Sequence, residues 1–439
     1  MKYPRLNGLA SLLAGLLLAT QGAWASASEP YDFPASDSYV ATVLGTPNKL
    51  KAELPEKIPV KVMTLDNLRP MPDVFWYNDS LKYSVALQKK AAPLVFSIGG
   101  TGSAYNNRNM VALQKALYQA GFHVINLSSP THLNFLLSAS SSNMPGYAPE
   151  DAKDIYRVMQ QAYAAVKDDI QVTGTHVIGF SLGGLHAAFV GDLDRKEKQL
   201  NLQKVYMINP PVNLYSSAQI LDKLTTDNMP RSPEGHALMG DFLDAVIGAV
   251  AQNYDPAAGM RFDQDTLYAT YRHGDIGDQR KYRHTAGGLI GFVFRLTSGS
   301  MVFASDVMNK AGYIVPKEKE FTARESLAYY ARAAHVISFK EYVDELLIPT
   351  LQTRHPGKSA EQIIQESSLR QVEGFLASDT NVRVATNSND LILAPGELDY
   401  LKSTLGNRVK VYPAGGHMGN ILHKTNVADM VAFLKGGQQ

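Results

Sequence analysis

The chain of 439 residues contains no cysteine. The folded protein therefore has no disulfide bond, no metal site made of thiolates and no cysteine nucleophile. A lipid anchor on an amino-terminal cysteine, as bacterial lipoproteins have, is excluded for the same reason.

Neither sign of charge is in excess. The 42 Lys and Arg residues nearly balance the 41 Asp and Glu residues, which leaves a formal net charge of +1. Proteins dedicated to nucleic-acid binding usually carry a marked basic excess, so we expect no nucleic-acid partner. The balance is compatible with a neutral or apolar substrate. With 45% hydrophobic and 19% charged residues, the composition is that of a soluble globular protein.

Long apolar runs are also scarce, and the clearest one lies at the amino terminus. Lys2 and Arg5 precede an apolar run over residues 9–19, and small residues follow at Ala25 and Ala27. These three parts predict a secretory signal peptide that is cleaved after Ala25 or Ala27. An uncleaved membrane anchor is the alternative, but the run is short for a bilayer span. We therefore expect a mature protein in the periplasm of a bacterium or outside the cell, which suits a chain without disulfides.

Strand and helix patterns alternate between residues 57 and 214. Half-buried strands are predicted from alternating polarity, and buried strands from continuous apolar runs. The predicted strands cover residues 57–65, 81–87, 93–98, 123–127, 171–180 and 204–208, with helices over 110–120, 149–167 and 182–198. This alternation predicts parallel β-α-β units in a sheet that is covered on both faces.

The alternation stops after the sixth strand and resumes near residue 381. Helical patterns dominate the intervening segment, in which residues 287–303 form either a mobile flap or a packed helix pair. Arg295 interrupts that apolar stretch. The later strands are predicted over 381–386 and 408–412, and helices over 395–405 and 427–434. We therefore predict a signal peptide (1–27), an α/β core (28–214 and 377–439) and a helical cap inserted after strand 6 (215–376).

A serine stands between two glycines where a predicted strand meets a predicted helix. The segment Gly179-Phe-Ser-Leu-Gly183 matches the pattern Gly-x-Ser-x-Gly. So tight a corner strains the serine backbone and exposes the hydroxyl of Ser181 at the start of the helix. There the N–H of Leu182 and the helix dipole can stabilise an oxyanion. A structural turn with a capping serine is the alternative.

With this motif in this context, the chain resembles the α/β-hydrolase family. The resemblance covers most of residues 57–214 and 381–435 and does not include the predicted cap. It implies a mostly parallel eight-stranded sheet and a catalytic triad in the chain order serine, acid, histidine.

The resemblance also indicates the other two members of the triad. The base is expected just after the last strand, where His417 lies in a glycine-rich loop, with His423 as a second candidate. The acid is expected after the strand before that one, where Asp390 is the only carboxylate of its loop. Some members carry the acid one strand earlier, but residues 210–214 contain none. Asp390 as a turn-forming or helix-capping residue is the alternative.

A second oxyanion donor is expected in the glycine-rich loop after the third strand. The donor is Gly100 or Thr101, although the His-Gly start that is usual in the family is absent here. A phosphate-binding loop is the alternative, but this loop lacks the lysine of a P-loop and the spacing of a dinucleotide fingerprint.

These patterns predict an exported serine hydrolase that cleaves an ester of a lipid or of another apolar acyl group. No cofactor and no metal are implied. The cap is expected to form an apolar acyl-binding pocket and to allow transient contact with a membrane surface. An acyltransferase with the same triad and a binding protein without catalytic activity are the alternatives. The patterns leave the oligomeric state open.

Overall fold

The computed structural model describes residues 31–228, 276–323 and 325–436, and only the backbone of residues 276–279. The predicted signal peptide lies outside these ranges. The fold is that of the compact unit Phe33–Gln439.

Eight strands of the described residues form one sheet in the order β1-β2-β4-β3-β5-β6-β7-β8. All neighbours from β4 to β8 pair in parallel, and β2 is antiparallel to both β1 and β4. The strands are β1 (Lys61–Asp66), β2 (Ser80–Ala86), β3 (Ala92–Ile98), β4 (His123–Leu127), β5 (Val172–Phe180), β6 (Leu202–Ile208), β7 (Val382–Asn387) and β8 (Val409–Tyr412). This is the topology of the α/β-hydrolase fold, so the predicted fold class is confirmed.

Helices connect the strands, and several lie in the described parts of the interval between β6 and β7. The described α-helices are α1 (Ser38–Leu44), α2 (Arg108–Gln119), α3 (Leu133–Ser138), α4 (Ala148–Ala164), α5 (Leu182–Glu197), α6 (Leu214–Asn228), α7 (Ile276–Asn309), α8 (Ala328–Val336), α9 (Phe339–Tyr342), α10 (Ile348–Arg354), α11 (Ala360–Glu366), α12 (Glu373–Ser378), α13 (Glu397–Leu405) and α14 (Lys424–Lys435). A π-helical turn (Val343–Leu347) joins α9 to α10, and short 3₁₀ turns cover Asn48–Leu50, Asp73–Phe75, Leu369–Val372 and Gly406–Arg408.

Helices cover the sheet on both faces, as alternate residues of β6 show. Val205 and Met207 belong to a large buried cluster with residues of α4 and α5. Tyr206 and Ile208 instead line a small cavity together with residues of α2 and α14. Since successive side chains of a strand point to opposite faces, α4 and α5 lie on one face and α2 and α14 on the other.

A second hydrophobic cluster, the cap cluster, joins the helices after β6 to segments that precede β5. It includes Phe294, Met301, Phe339 and Tyr342 from the segment after β6, together with Phe75, Leu136 of α3 and Met144. Leu369 and Phe375, although they lie within the predicted cap (215–376), pack in the cluster on the sheet.

Residues 287–303 lie within one continuous helix, α7, of 34 residues. By length and composition Arg280–Asn309 is apolar enough to cross a membrane, but 61% of its most apolar window is buried inside the protein. Arg295 in the middle of this helix forms a buried ion pair with Asp222 of α6, with 3.2 Å between Nη2 and Oδ1. These are the properties of a core helix.

Candidate active site

Ser181 occupies the sharp corner between β5 and α5. Its backbone has φ 53° and ψ −127°, which is a strained conformation for any residue with a side chain. The flanking glycines are required because a Cβ at Gly179 would overlap the carbonyl oxygen of Gly183, and a Cβ at Gly183 would overlap that of Ile98. The corner therefore places the serine hydroxyl at the carboxyl end of the central strand and at the start of a 16-residue helix.

His417 and Asp390 lie in line with the Ser181 hydroxyl. Nε2 of His417 is 2.9 Å from Oγ of Ser181. On the other side of the ring, Nδ1 is 3.0 Å from Oδ1 of Asp390. The carboxylate is fully buried, and the imidazole is 14% exposed. The structure thus brings the three residues into the hydrogen-bonded arrangement in which a serine, a base and an orienting acid act together.

Three further groups hold the Asp390 carboxylate in place. Asn209, at the end of β6, donates its side-chain N–H to Oδ2 at 2.7 Å. The hydroxyl of Thr386 lies 3.4 Å from the same oxygen, and the backbone N–H of Ile392 donates to Oδ1 at 3.3 Å. With these donors in place, Oδ1 points at His417. They also supply hydrogen bonds to a carboxylate that is buried away from water.

The loop that carries His417 is fixed by polar side chains from two other parts of the chain. Asn389 accepts a hydrogen bond from the N–H of Gly416 at 2.9 Å, and Asn387 donates to the Gly416 carbonyl at 2.7 Å. The N–H of His417 itself donates to the hydroxyl of Thr42 at 2.8 Å. Thr42 lies on α1, in the amino-terminal segment that shows no clear sequence period.

Sequence reasoning missed α1 and its contact with the loop that carries His417. The one local signal is Asp37, whose carboxylate accepts hydrogen bonds from the N–H groups of Tyr39 and Val40 and so caps the helix. A residue of this type just before a short apolar stretch is a helix-start signal. That signal does not indicate a contact with a loop 375 positions away.

The three predicted oxyanion donors are the backbone N–H groups of Leu182, Gly100 and Thr101. Leu182 is the first residue of α5, and its N–H, like those of Gly100 and Thr101, has no hydrogen-bond partner in the described part of the chain. Thr101 and Leu182 line one small cavity, which Gly100 does not line. Gly100 instead faces the ring of Phe180.

The other histidines near the motif have structural roles. His423 is almost fully buried and caps α14, because its Nδ1 accepts a hydrogen bond from the N–H of Thr425. His186, one turn beyond Ser181 on α5, is fully buried with Nε2 3.7 Å from Oδ2 of Asp151. Burial raises the pKa of the Asp151 carboxyl, while His186 partly offsets this. The structure therefore places neither histidine in contact with the Ser181 hydroxyl.

A metal centre is not formed by the described residues. Within residues 31–228 and the described residues after 275, no three His, Asp or Glu side chains are arranged to hold a metal ion. The hydrogen-bonded Ser181, His417 and Asp390 can support proton transfer and nucleophilic attack by Ser181.

No protein-family model and no curated protein matches the sequence. Solved structures of similar fold include a hyperthermophilic esterase from the archaeon Pyrobaculum calidifontis, at 14% identity over 90% of this chain and 88% of the other, with a TM-score of 0.39. A fungal esterase from Rhizomucor miehei shows 11% identity over 87% and 84% of the two chains, with a TM-score of 0.39. A bacterial membrane phospholipase A, described as a virulence factor, shows 14% identity over 86% of each chain, with a TM-score of 0.40. At these identities and TM-scores the similarity assigns no function to this chain.

Proposed function

We propose that this protein is a serine hydrolase that cleaves a carboxylic ester. The observation that carries the proposal is the continuous chain of hydrogen bonds from Asp390 through His417 to Ser181, at 3.0 and 2.9 Å. A serine hydroxyl is a weak nucleophile until a base accepts its proton. Here the base lies within hydrogen-bond distance, and its other nitrogen faces a buried carboxylate.

In the first half of the reaction, Ser181 Oγ attacks the ester carbonyl carbon while its proton passes to His417 Nε2. Asp390 stabilises the imidazolium that results. His417 then gives the proton to the leaving oxygen as the bond between that oxygen and the acyl carbon breaks. An alcohol leaves, and the acyl group stays bonded to Ser181.

In the second half, water attacks the acyl carbon and His417 accepts one of its protons. The bond to Ser181 then breaks, the proton returns to Oγ, and a carboxylic acid leaves. We propose that the N–H groups of Leu182 and Thr101 stabilise the negative oxygen in both halves, since both residues line the same cavity and Leu182 directly follows Ser181.

The substrate that we propose is an ester of an apolar acyl group. The other side chains that line this cavity include Leu214, Phe294 and Met301, which are apolar and uncharged. Burial of an apolar acyl chain against such a surface is favourable.

Comparison of the wild-type protein with Ser181→Ala on a soluble p-nitrophenyl ester tests the reaction. We expect kcat/KM to fall by about 10⁴-fold or more, because without the nucleophile only oxyanion stabilisation and binding remain. Ser403→Ala, on the outer helix α13, is the matched control and retains wild-type activity. Equal activity of wild type and Ser181→Ala would contradict the proposal. Product analysis with an added alcohol separates hydrolysis from acyl transfer.

We also propose that the protein is exported. This proposal is supported by the charged start, the apolar run over residues 9–19 and the small residues Ala25 and Ala27. Amino-terminal sequencing of the protein from the periplasmic fraction or the medium of a bacterial host should find Ser26 or Ser28 first. Intact Met1 on a membrane-bound product would indicate an uncleaved anchor.

A further inference from the structure

A narrow cavity lies beside the two proposed oxyanion donors. Its volume is about 20 Å³. Since one water molecule needs roughly 10–15 Å³ on this measure, the space admits about one or two non-hydrogen atoms. Its lining comes from the sheet loops and from the cap, and includes Thr101, Leu182, Ala218, Phe294, Met301 and Phe339.

Helix α7 packs closely against the loop after β3, beside the cavity. A Cβ at Gly102 would overlap Cγ2 of Thr297 on α7. One turn earlier on α7, the ring of Phe294 packs against the ring of Phe339 with 6.1 Å between their centroids. Both phenylalanines are less than 9% exposed. Together the two rings form an aromatic wall of the cavity.

A buried polar group of side chains fixes this aromatic wall. Arg295, the neighbour of Phe294, pairs with Asp222 and also donates to the carbonyl of Val336 at 2.9 Å. Asp222 in turn accepts from the N–H groups of Phe339 and Lys340 at 3.2 and 3.1 Å. Each ring of the wall is therefore attached to a backbone that the Arg295–Asp222 pair holds in place.

We propose that this cavity receives the acyl group and that Phe294 limits the acyl chain to two or three carbons. The proposal rests on the proposed ester hydrolysis and specifies its substrate class: short-chain esters, not lipids. An acetyl methyl or a propionyl ethyl group fills the space next to Leu182 and Thr101. A longer chain meets the ring of Phe294.

The test is a series of p-nitrophenyl esters from acetyl to octanoyl, each assayed in detergent-free buffer below its solubility limit. The wild-type protein should show its highest kcat/KM on acetyl or propionyl. Phe294→Ala removes a benzene-sized group, and cavities of about 150 Å³ made in this way accept benzene. Because each additional buried methylene is worth about fourfold in kcat/KM, we expect the ratio of hexanoyl to acetyl activity to rise at least tenfold. Phe294→Leu should shift the ratio in the same direction by a smaller factor. It replaces the alanine variant in the test if that variant does not fold.

Phe303→Ala is the matched control for loss of packing. Phe303 lies on the same helix, is 8% exposed like Phe294, and packs against Phe75 and Phe321 away from the cavity. Its removal should destabilise the protein and leave the acyl-length ratio within twofold of wild type. A wild-type preference for octanoyl over acetyl, or an equal shift in both variants, would overturn the proposal. Labelling of Ser181 by a fluorophosphonate in the same samples separates this failure from a failure of the proposed hydrolysis.

Discussion

At the scale of single residues, the site depends on contacts between distant parts of the chain. His417 and Ser181 are 236 positions apart, and Asn209 and Asp390 are 181 positions apart. Ser181 and His417 nevertheless have local signals, a glycine on each side of the serine and a glycine-rich loop after the last strand. Asn209 and Thr42 have none, because their roles arise only when strands and helices meet. The sequence therefore predicts the reacting groups and not the groups that position them.

The first prediction at this scale concerns the acid. Asp390→Asn keeps the size of the side chain and removes its negative charge. We expect kcat to fall by about 10³- to 10⁴-fold, because an uncharged amide neither orients the neutral ring nor stabilises the imidazolium. Ester hydrolysis by the folded variant, verified by circular dichroism, measures the effect. A loss of less than tenfold would mean that another group serves as the acid.

The second prediction concerns Asn209. In Asn209→Ala the Asp390 carboxylate loses its shortest hydrogen bond. A hydrogen bond to a buried charge is worth about 1.5–3 kcal/mol, so kcat should fall by about 10- to 100-fold with KM little changed. Steady-state kinetics on an acetyl ester tests this.

Asn201→Ala is the control for backbone strain in the Asn209 experiment. Asn201 precedes β6 and has φ 52°, close to the φ of 47° at Asn209, so both alanine variants carry the same left-handed conformation. The control should retain wild-type kcat. If both variants lose activity equally, backbone strain and not the lost donor is the cause.

At the scale of elements, local signals predict where helices begin and end better than where they are interrupted. The segment 325–347 contains two separate α-helices, α8 and α9, because Ser338 forms a capping box with Glu341 and starts a new helix. The stretch 287–303 is part of the single long helix α7, although its glycines are also compatible with a flap. Gly291 and Gly299 there permit close approach of α6 and α8, since a Cβ would overlap Thr225 or His335. Such contacts depend on the partner helix, and the sequence of α7 alone does not specify them.

The prediction at this scale concerns the buried ion pair between α6 and α7. Asp222→Ala leaves Arg295 buried without its partner, together with two backbone N–H groups without their acceptor. We expect a loss of about 3–5 kcal/mol in the free energy of unfolding, measured by urea denaturation. Asp227→Ala is the control, because Asp227 forms an exposed pair with Lys223 on the same helix. That change should lower the free energy of unfolding by less than about 1 kcal/mol. Equal losses in the two variants would show that the buried pair contributes no more to stability than the exposed pair.

At the scale of the whole molecule, the alternation of strands and helices predicts the sheet, since parallel strands need helical crossovers. The strand over 123–127 lies where it was predicted, and the first strand begins four residues later than predicted, at Lys61. The strand patterns alone do not specify the order of the strands in the sheet. The packing between the cap and the sheet is not predictable from the sequence, because segments such as 133–147, which contains α3, join the cap cluster through tertiary contacts alone.

The stability of the whole fold should depend on pH through His176 in β5. Burial, helped by the charge of Lys204, lowers the pKa of His176 from 6.5 to about 4. Between these two pH values the unfolded chain binds a proton that the native protein does not bind, so stability is complete above pH 6.5 and falls as the pH decreases toward 4. The contribution is about 3 kcal/mol. Urea unfolding of wild type and His176→Gln between pH 7 and 4 tests this, and an unchanged pH dependence in the variant would contradict it.

The central claim is that His417 activates Ser181 as a nucleophile. Reaction of the folded protein with a fluorophosphonate, followed by mass spectrometry of the peptides, tests this claim most directly. The account predicts one labelled residue, Ser181, with labelling abolished in Ser181→Ala and slowed strongly in His417→Ala, because a fluorophosphonate reacts with a serine whose proton a neighbouring base accepts. A folded wild-type protein that remains unlabelled, or that is labelled at a different serine, would contradict it.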